Sequence, residues 1–246
     1  MKRNDLYPAT MAQPTQTLSI DWPCEMVVAS RNSEEMMCQV VHRSGEWGRG
    51  RDLPKERIDE ISQACSQHGM TLYQALSLRR TMLRSFPGGM RRVNQSASMG
   101  TNHGQNQVSA LFEEALVAYV RSVTAGSGNI FRTERELIDE ARAGRRPRGP
   151  TPDILFLEPV IINGRSVKWI DAKLYYASAK FASNTRVPNG KLQSQAQRYN
   201  HHFGGNGAFV FGQGFCSDLQ RMVPGALLLD ATPLDVSAVT AYQDAN

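Results

Sequence analysis

Apolar residues in the C-terminal part of the chain switch repeatedly between a helical and a strand period. Val108, Leu111, Phe112, Ala115, Leu116, Tyr119 and Val123 fall on one stripe, which predicts an amphipathic helix from about Gln107 to Val123. Ile130-Phe131 suggests a short strand, and Thr133 starts a short helix, ERELIDEAR. Ile154 to Leu157 is continuously apolar, as in a strand covered on both faces. Asn163-Gly164 predicts a type I′ turn into a second strand that runs through Trp169-Ile170 to Lys173. A loop, YASAKFASNTRVPNG, leads to a helix over about Lys191–Phe203, which Gly204 and Gly205 end. Ala208 to Phe211 and Ala226 to Leu229 read as two more buried strands.

The N-terminal part is less periodic. Pro8, Pro14 and Pro23 interrupt it, Val27-Val28 and Gln39-Val40-Val41 have the look of short strands, and residues 1–52 are expected to form a partly ordered arm. Ile58, Ile61 and Cys65 then share a helical face, His68-Gly69-Met70 breaks the helix, and Thr71 with Gln74 forms a capping box for the next one. Leu72, Ala75, Leu76, Met82 and Leu83 make its apolar stripe, and Arg79, Arg80 and Arg84 load the other face. Residues 53–93 thus have the outline of a helix-turn-helix, but a plain helical hairpin with a solvated face is the favoured reading. Residues 94–106, rich in Asn, Ser, Gly and Gln, read as a linker, residues 107–236 as the main domain and residues 237–246 as a tail. The order of elements predicts an α/β fold, a mixed sheet flanked by helices.

Composition narrows the picture modestly. The chain has 246 residues, and its hydrophobic content of 41% supports a real core. A net charge of +5 suits a polyanionic partner, although many proteins carry such a charge for solubility alone. Cys24, Cys38, Cys65 and Cys216 are widely spaced, which argues against a structural zinc site and fits reduced thiols in the nucleus or cytoplasm. No apolar run is long enough to span a membrane, and the N-terminus lacks the apolar core of a secretory signal.

The candidate chemistry is concentrated in TPDILFLEPVIINGRSVKWIDAK, from Thr151 to Lys173. Asp171 and Lys173 point to one face of their strand, and Asp153 belongs to the strand before it. Two carboxylates and a lysine can hold a magnesium-type ion beside a scissile phosphate, and the preceding helix can add Glu113 or Glu114, which sit on opposite shoulders of its stripe. Acidic and basic neighbours on an exposed strand are ordinary, but Trp169-Ile170 before and Leu174-Tyr175-Tyr176 after this pair point to a partly buried setting. A regular hairpin would set Phe156 opposite Asp171 and turn Asp153 to the other side of the sheet. A site therefore requires a break in pairing, expected near Glu158-Pro159 because Pro159 cannot donate to the ladder. Arg142, Arg145, Arg146 and Arg148 precede Thr151 with no acid between them and are candidates for phosphate contact.

A glutamate on a helix, then Pro-Asp, then Asp-x-Lys resembles the PD-(D/E)xK nuclease superfamily. The TPD segment, Gln195-x-x-x-Tyr199 and FGGNGAFVFGQGF together resemble, more narrowly, its TPD-motif family, over roughly Gln107 to Asp235. The resemblance implies a restriction-endonuclease-like core and a nuclease using Mg2+ or Mn2+. It also implies Glu114, Asp153 and Asp171 as metal ligands, with Lys173 completing the catalytic set. Gln195 and Tyr199 would contact the site or the nucleic acid, as would Arg145, Arg146 and Arg148. DNA is the expected substrate ahead of RNA, and a larger protein of codanin type the expected partner. The family usually has Glu-Ser-Lys where this chain has Asp171-Ala172-Lys173, which shifts a metal slightly. The alternative is a catalytically weak nucleic-acid-binding or adaptor subunit.

Overall fold

The computed structural model describes residues 17–43, 54–85 and 101–245. The chain runs β1 (Ser19–Ile20), β2 (Val27–Val28), α1 (Arg31–Arg43), α2 (Lys55–His68), α3 (Leu72–Ser85), α4 (Thr101–Val123), β3 (Phe131–Thr133) and α5 (Glu134–Arg142). It continues with β4 (Ile154–Ile162), β5 (Arg165–Lys173), a 3-10 turn (Pro188–Lys191), α6 (Leu192–Phe203), β6 (Gly207–Phe211), β7 (Phe215–Cys216), α7 (Leu219–Met222), β8 (Ala226–Asp230) and α8 (Ser237–Ala245).

The main sheet has the order β1-β4-β5-β6-β8, with β3 also paired to β4. β4 and β5 are antiparallel, whereas β5–β6 and β6–β8 are parallel. The hairpin turn is as expected: Asn163 and Gly164 both have positive φ, 48° and 75°, which a type I′ turn requires and which these residue types tolerate. Gly207 is required for a different reason. A Cβ there would lie 2.0 Å from Trp169 Cδ2, so only glycine lets β6 pass beside the Trp169 indole.

The β4–β5 ladder is interrupted between Leu155 and Val160. Near the turn Ile162 pairs with Arg165 and Val160 with Val167. Continued evenly, that register would set Leu155 against Ala172, but Leu155 pairs with Trp169, three residues earlier, and Ile154 with Ile170. An odd slip reverses the parity of everything beyond it, so Asp153 is carried to the face that bears Asp171.

Helices cover both faces. On one, Val108, Phe112, Leu116 and Val120 of α4 pack on Ile154, Phe156, Ile170, Val210 and Leu229. On the other, Leu192, Ala196 and Tyr199 of α6 pack with Trp169, Phe209 and Leu228, together with the helices α1 to α3. The mixed α/β sheet flanked by helices agrees with the expected class and is consistent with a restriction-endonuclease-like fold. Among the described residues no helix is long and apolar enough to cross a membrane, and all four cysteines are free.

Residues 17–43 of the segment expected to form a partly ordered arm are packed into the fold. β1 pairs with β4 and β2 with β7. Trp22 is 1% exposed, and its indole N–H donates to the Asp230 carbonyl at 2.9 Å. Gln39–Val41 is not a strand but lies within α1, where Met37, Cys38 and Val41 are buried at helical spacing. Residues 1–16 and 44–53 of that expected arm lie outside the described residues, as do 94–100 of the expected linker; α4 already begins at Thr101.

α2 and α3 are joined by Gly69 in the left-handed conformation. The third helix of this unit is α1, which packs against both. α3 spends most of its surface inside the protein. Gln74, Ala75, Ser77, Leu78, Thr81 and Met82 are buried, Ser77 Oγ accepts from the Tyr176 backbone N–H at 2.9 Å, and Gln74 Nε2 donates to the Met26 carbonyl at 3.0 Å. A helix so engaged serves the core.

Candidate active site

Asp153 and Asp171 are 8% and 5% exposed, low values for carboxylates, and they meet across the slipped ladder. The Ala172 backbone N–H donates to Asp153 Oδ2 at 2.5 Å. Burial, and next the charge of Asp171, push the Asp153 carboxyl up to about 8.

Asp171 is held by donors from two elements. Lys173, from the same strand, forms an ion pair with its Oδ2. Gln195 of α6 donates to Oδ2 at 3.1 Å, and the Tyr199 hydroxyl, one turn further on, donates to Oδ1 at 3.4 Å. Gln195 also donates to the Tyr199 oxygen at 3.1 Å. Burial and then Asp171 raise the pKa of Tyr199, which keeps its hydroxyl a donor. The Tyr199 ring meets Trp169 edge-on at 4.9 Å, so the hydroxyl is aimed by core packing. The Lys173 ammonium lies 5.7 Å from the centre of the Phe209 ring.

The glutamate that α4 brings to this group is Glu113, not Glu114. Glu113 is half-buried while Glu114 is exposed. Burial, followed by the charges of Glu134 and Asp171, raises the pKa of Glu113. One carboxylate oxygen from each of Glu113, Glu134 and Asp153 lies within 4.8 Å of the others, a set that could hold a metal ion. Three hard oxygen donors with no nitrogen or sulfur fit a magnesium- or manganese-class cation. Asp171 stands beside this set, with its oxygens engaged by Lys173, Gln195 and Tyr199.

Glu134 is a member of the group that sequence reasoning misses. It is the first residue of α5, whose start is fixed by a capping box between Thr133 and Glu136. β3 pairs with β4 so that Thr133 faces Ile154, and the Glu134 backbone N–H donates to the Asp153 carbonyl at 3.1 Å. The capping box could have marked Glu134 as a helix N-terminal residue, but nothing local tells that this helix end abuts Asp153.

The basic segment lies beside the C-terminal end of α6. The Arg146 guanidinium sits 6.0 Å from the centre of the Phe203 ring, and Gly149 backs onto the His202 imidazole. Arg145 and Arg148 are exposed, and Arg142 is ion-paired with Asp139 at 3.6 Å on the surface.

A family model described as a protein of unknown function with the TPD sequence motif matches residues 93–232, more than half of the chain. The chain belongs to the TPD sequence-motif family. The match takes in α4, the β4–β5 hairpin, α6 and the strands up to β8, and with them every carboxylate described above. Among curated proteins, this TPD-family chain is similar to CDAN1-interacting nuclease 1 of Danio rerio, 32% identical over 111 residues. That stretch is 44% of this chain and 35% of the relative, so the chain matches about a third of the relative's length. No solved structure matches.

Proposed function

We propose that this chain is a divalent-metal-dependent nuclease that hydrolyses phosphodiester bonds in DNA or structured nucleic acid. The observation that carries the reading is the odd slip in the β4–β5 ladder, which brings Asp153 to Asp171 and Lys173 at the edge of a carboxylate group. A regular hairpin would be easier to build, and a ladder distorted so as to crowd two buried acids is explained by a cation that Asp153 holds with Glu113 and Glu134 beside Asp171. The name of the relative, a nuclease, agrees.

In this reading Glu113, Glu134 and Asp153 hold the cation, which when bound neutralises charge at the scissile phosphate. Lys173, positioned by Asp171 and by the Phe209 ring, stabilises the negative charge that builds on the phosphoryl oxygens. Gln195 and Tyr199 fix the Asp171 carboxylate. The exposed Arg145 and Arg148, with Arg146 anchored at Phe203, guide the nucleic acid backbone, DNA ahead of RNA. A larger protein of codanin type is the proposed partner, after the relative's name, in the nucleus or cytoplasm.

The second reading, a catalytically weak adaptor, draws on one observation. Both oxygens of the short Asp171 side chain are taken up by Lys173, Gln195 and Tyr199. Labelled single-stranded, duplex and branched substrates with magnesium or manganese separate the two. The nuclease cuts, and Asp171→Ala and Lys173→Ala bind without cutting. No metal-dependent cleavage of any substrate, with equal binding by all three proteins, establishes the adaptor.

A further inference from the structure

Thr151 stands two residues before Asp153 and touches both halves of the site. Its hydroxyl donates to Glu134 Oε1 at 2.8 Å, and its backbone carbonyl, 3.3 Å from the Tyr199 hydroxyl, shares that group's one proton with Asp171 Oδ1 at 3.4 Å. Those partners are on different elements, Glu134 at the start of α5 and Tyr199 on α6. Glu134 is thereby gripped from both sides of Pro152: its backbone N–H by the Asp153 carbonyl and its carboxylate by the Thr151 hydroxyl. Pro152, which fixes its own φ and offers no N–H, keeps the two grips at a set distance.

We infer that Thr151 is a positioning residue that acts through Glu134: its hydroxyl holds one oxygen of that carboxylate and leaves the other for a divalent cation shared with Glu113 and Asp153. A half-buried glutamate at a helix terminus has many rotamers, and a donor on one oxygen removes most of them before the cation arrives. Serine keeps this donor. Valine keeps the shape and leaves Glu134 Oε1 without it.

The inference rests on the reading of the carboxylate group as a cation site, and the test separates the two. Mn2+ affinity is measured by electron paramagnetic resonance on the full chain without nucleic acid, for the wild type, Thr151→Val, Thr151→Ser, Glu134→Gln and the Val/Gln double variant, with circular dichroism as the check on folding. Thr151→Val is expected to weaken Mn2+ by about 10-fold, as outer hydrogen bonds to metal ligands do, and Thr151→Ser by no more than about 2-fold. In the Glu134→Gln background Thr151→Val is expected to cost less than about 2-fold, because the group it acts through is gone. Wild-type protein that binds no Mn2+ sinks the cation site itself. Wild type that binds, with Thr151→Val binding equally well or with the two substitutions additive, overturns the role of Thr151. Should the Val variant not fold, Thr151→Ala replaces it, and failure of both beside a folded Ser variant assigns the hydroxyl to the fold and overturns the inference.

Discussion

Asp153 and Asp171 share one face of the sheet because β4 slips by three residues against β5 between Leu155 and Val160. Without the slip, the alternation of side chains would put the first on the far side of the strand pair. The proximity of the two acids is therefore built by the backbone, and the hydrogen bond from the Ala172 N–H to Asp153 holds it.

The two adjacent glutamates of α4 should behave differently. Glu113 joins Glu134 and Asp153, whereas Glu114 faces solvent. Glu113→Gln is expected to lower metal-dependent cleavage by at least about 100-fold, the scale of an electrostatic contribution to a transition state. Glu114→Gln should stay within about 2-fold of the wild type. Cleavage of one labelled substrate by the two variants at equal Mg2+ decides it, and the reverse ranking would restore the position expected from the motif.

Charge on the basic segment should govern binding rather than chemistry. Arg145 and Arg148 are exposed, and neither belongs to the carboxylate group. Replacing both with glutamate is expected to raise KM for nucleic acid with little change in kcat. It should also make the slope of log affinity against log salt shallower, by about one for each phosphate no longer neutralised. Titrations at two salt concentrations measure this. An unchanged salt slope would remove the segment from the binding surface.

The N-terminal segment should be indispensable to the fold. Trp22 is buried, its indole N–H reaches the Asp230 carbonyl, and its backbone exchanges hydrogen bonds with the Asn163 side chain at 2.7 and 2.8 Å. Trp22→Ala is expected to cost about 3–5 kcal/mol in denaturant unfolding, the usual range for a buried aromatic truncated to alanine. A cost below about 1 kcal/mol would return this segment to the status of an arm.

What the sequence made legible was local. The α4 stripe, the Asn163-Gly164 hairpin, the helix carrying Gln195 and Tyr199, and the buried β6 and β8 all announce themselves within a dozen residues. The irregularity near Pro159 was also legible, because chemistry and strand parity disagreed there. What stayed hidden depends on partners remote in the chain. Trp22 meets Asp230, and β2 meets β7, across most of the chain. Glu134 reaches Asp153 only through β3, three residues long. Glu113 and Glu114 flank one stripe almost symmetrically, and only the placement of α4 on the sheet separates them. Gln39–Val41 misled because two β-branched residues side by side suit a strand as well as one face of a helix.

The pH dependence of stability should carry the signature of Asp153. Its carboxyl is pushed up to about 8 in the folded protein, chiefly by burial and then by Asp171, from an ordinary value near 3.8. Between these values the folded state binds the proton more tightly than the unfolded chain does. Without a divalent cation, stability from this group is therefore complete below about pH 4, falls as pH rises, and is gone above about pH 8. The span is on the order of a few kcal/mol. Glu113, also raised, acts in the same direction. Asp153→Asn, which cannot ionise, is expected to melt higher than the wild type at pH 8 in the presence of a chelator, and to show a flatter Tm between pH 5 and 8. Magnesium should reverse the order, since it stabilises the ionised wild-type site and finds a poorer one in the variant. Thermal melts at pH 5 and 8, with chelator and with Mg2+, test both halves. A wild-type Tm that does not fall toward pH 8 in chelator, or that Mg2+ fails to raise at pH 8, would mean that these carboxylates are neither strained by their mutual charge nor relieved by a cation.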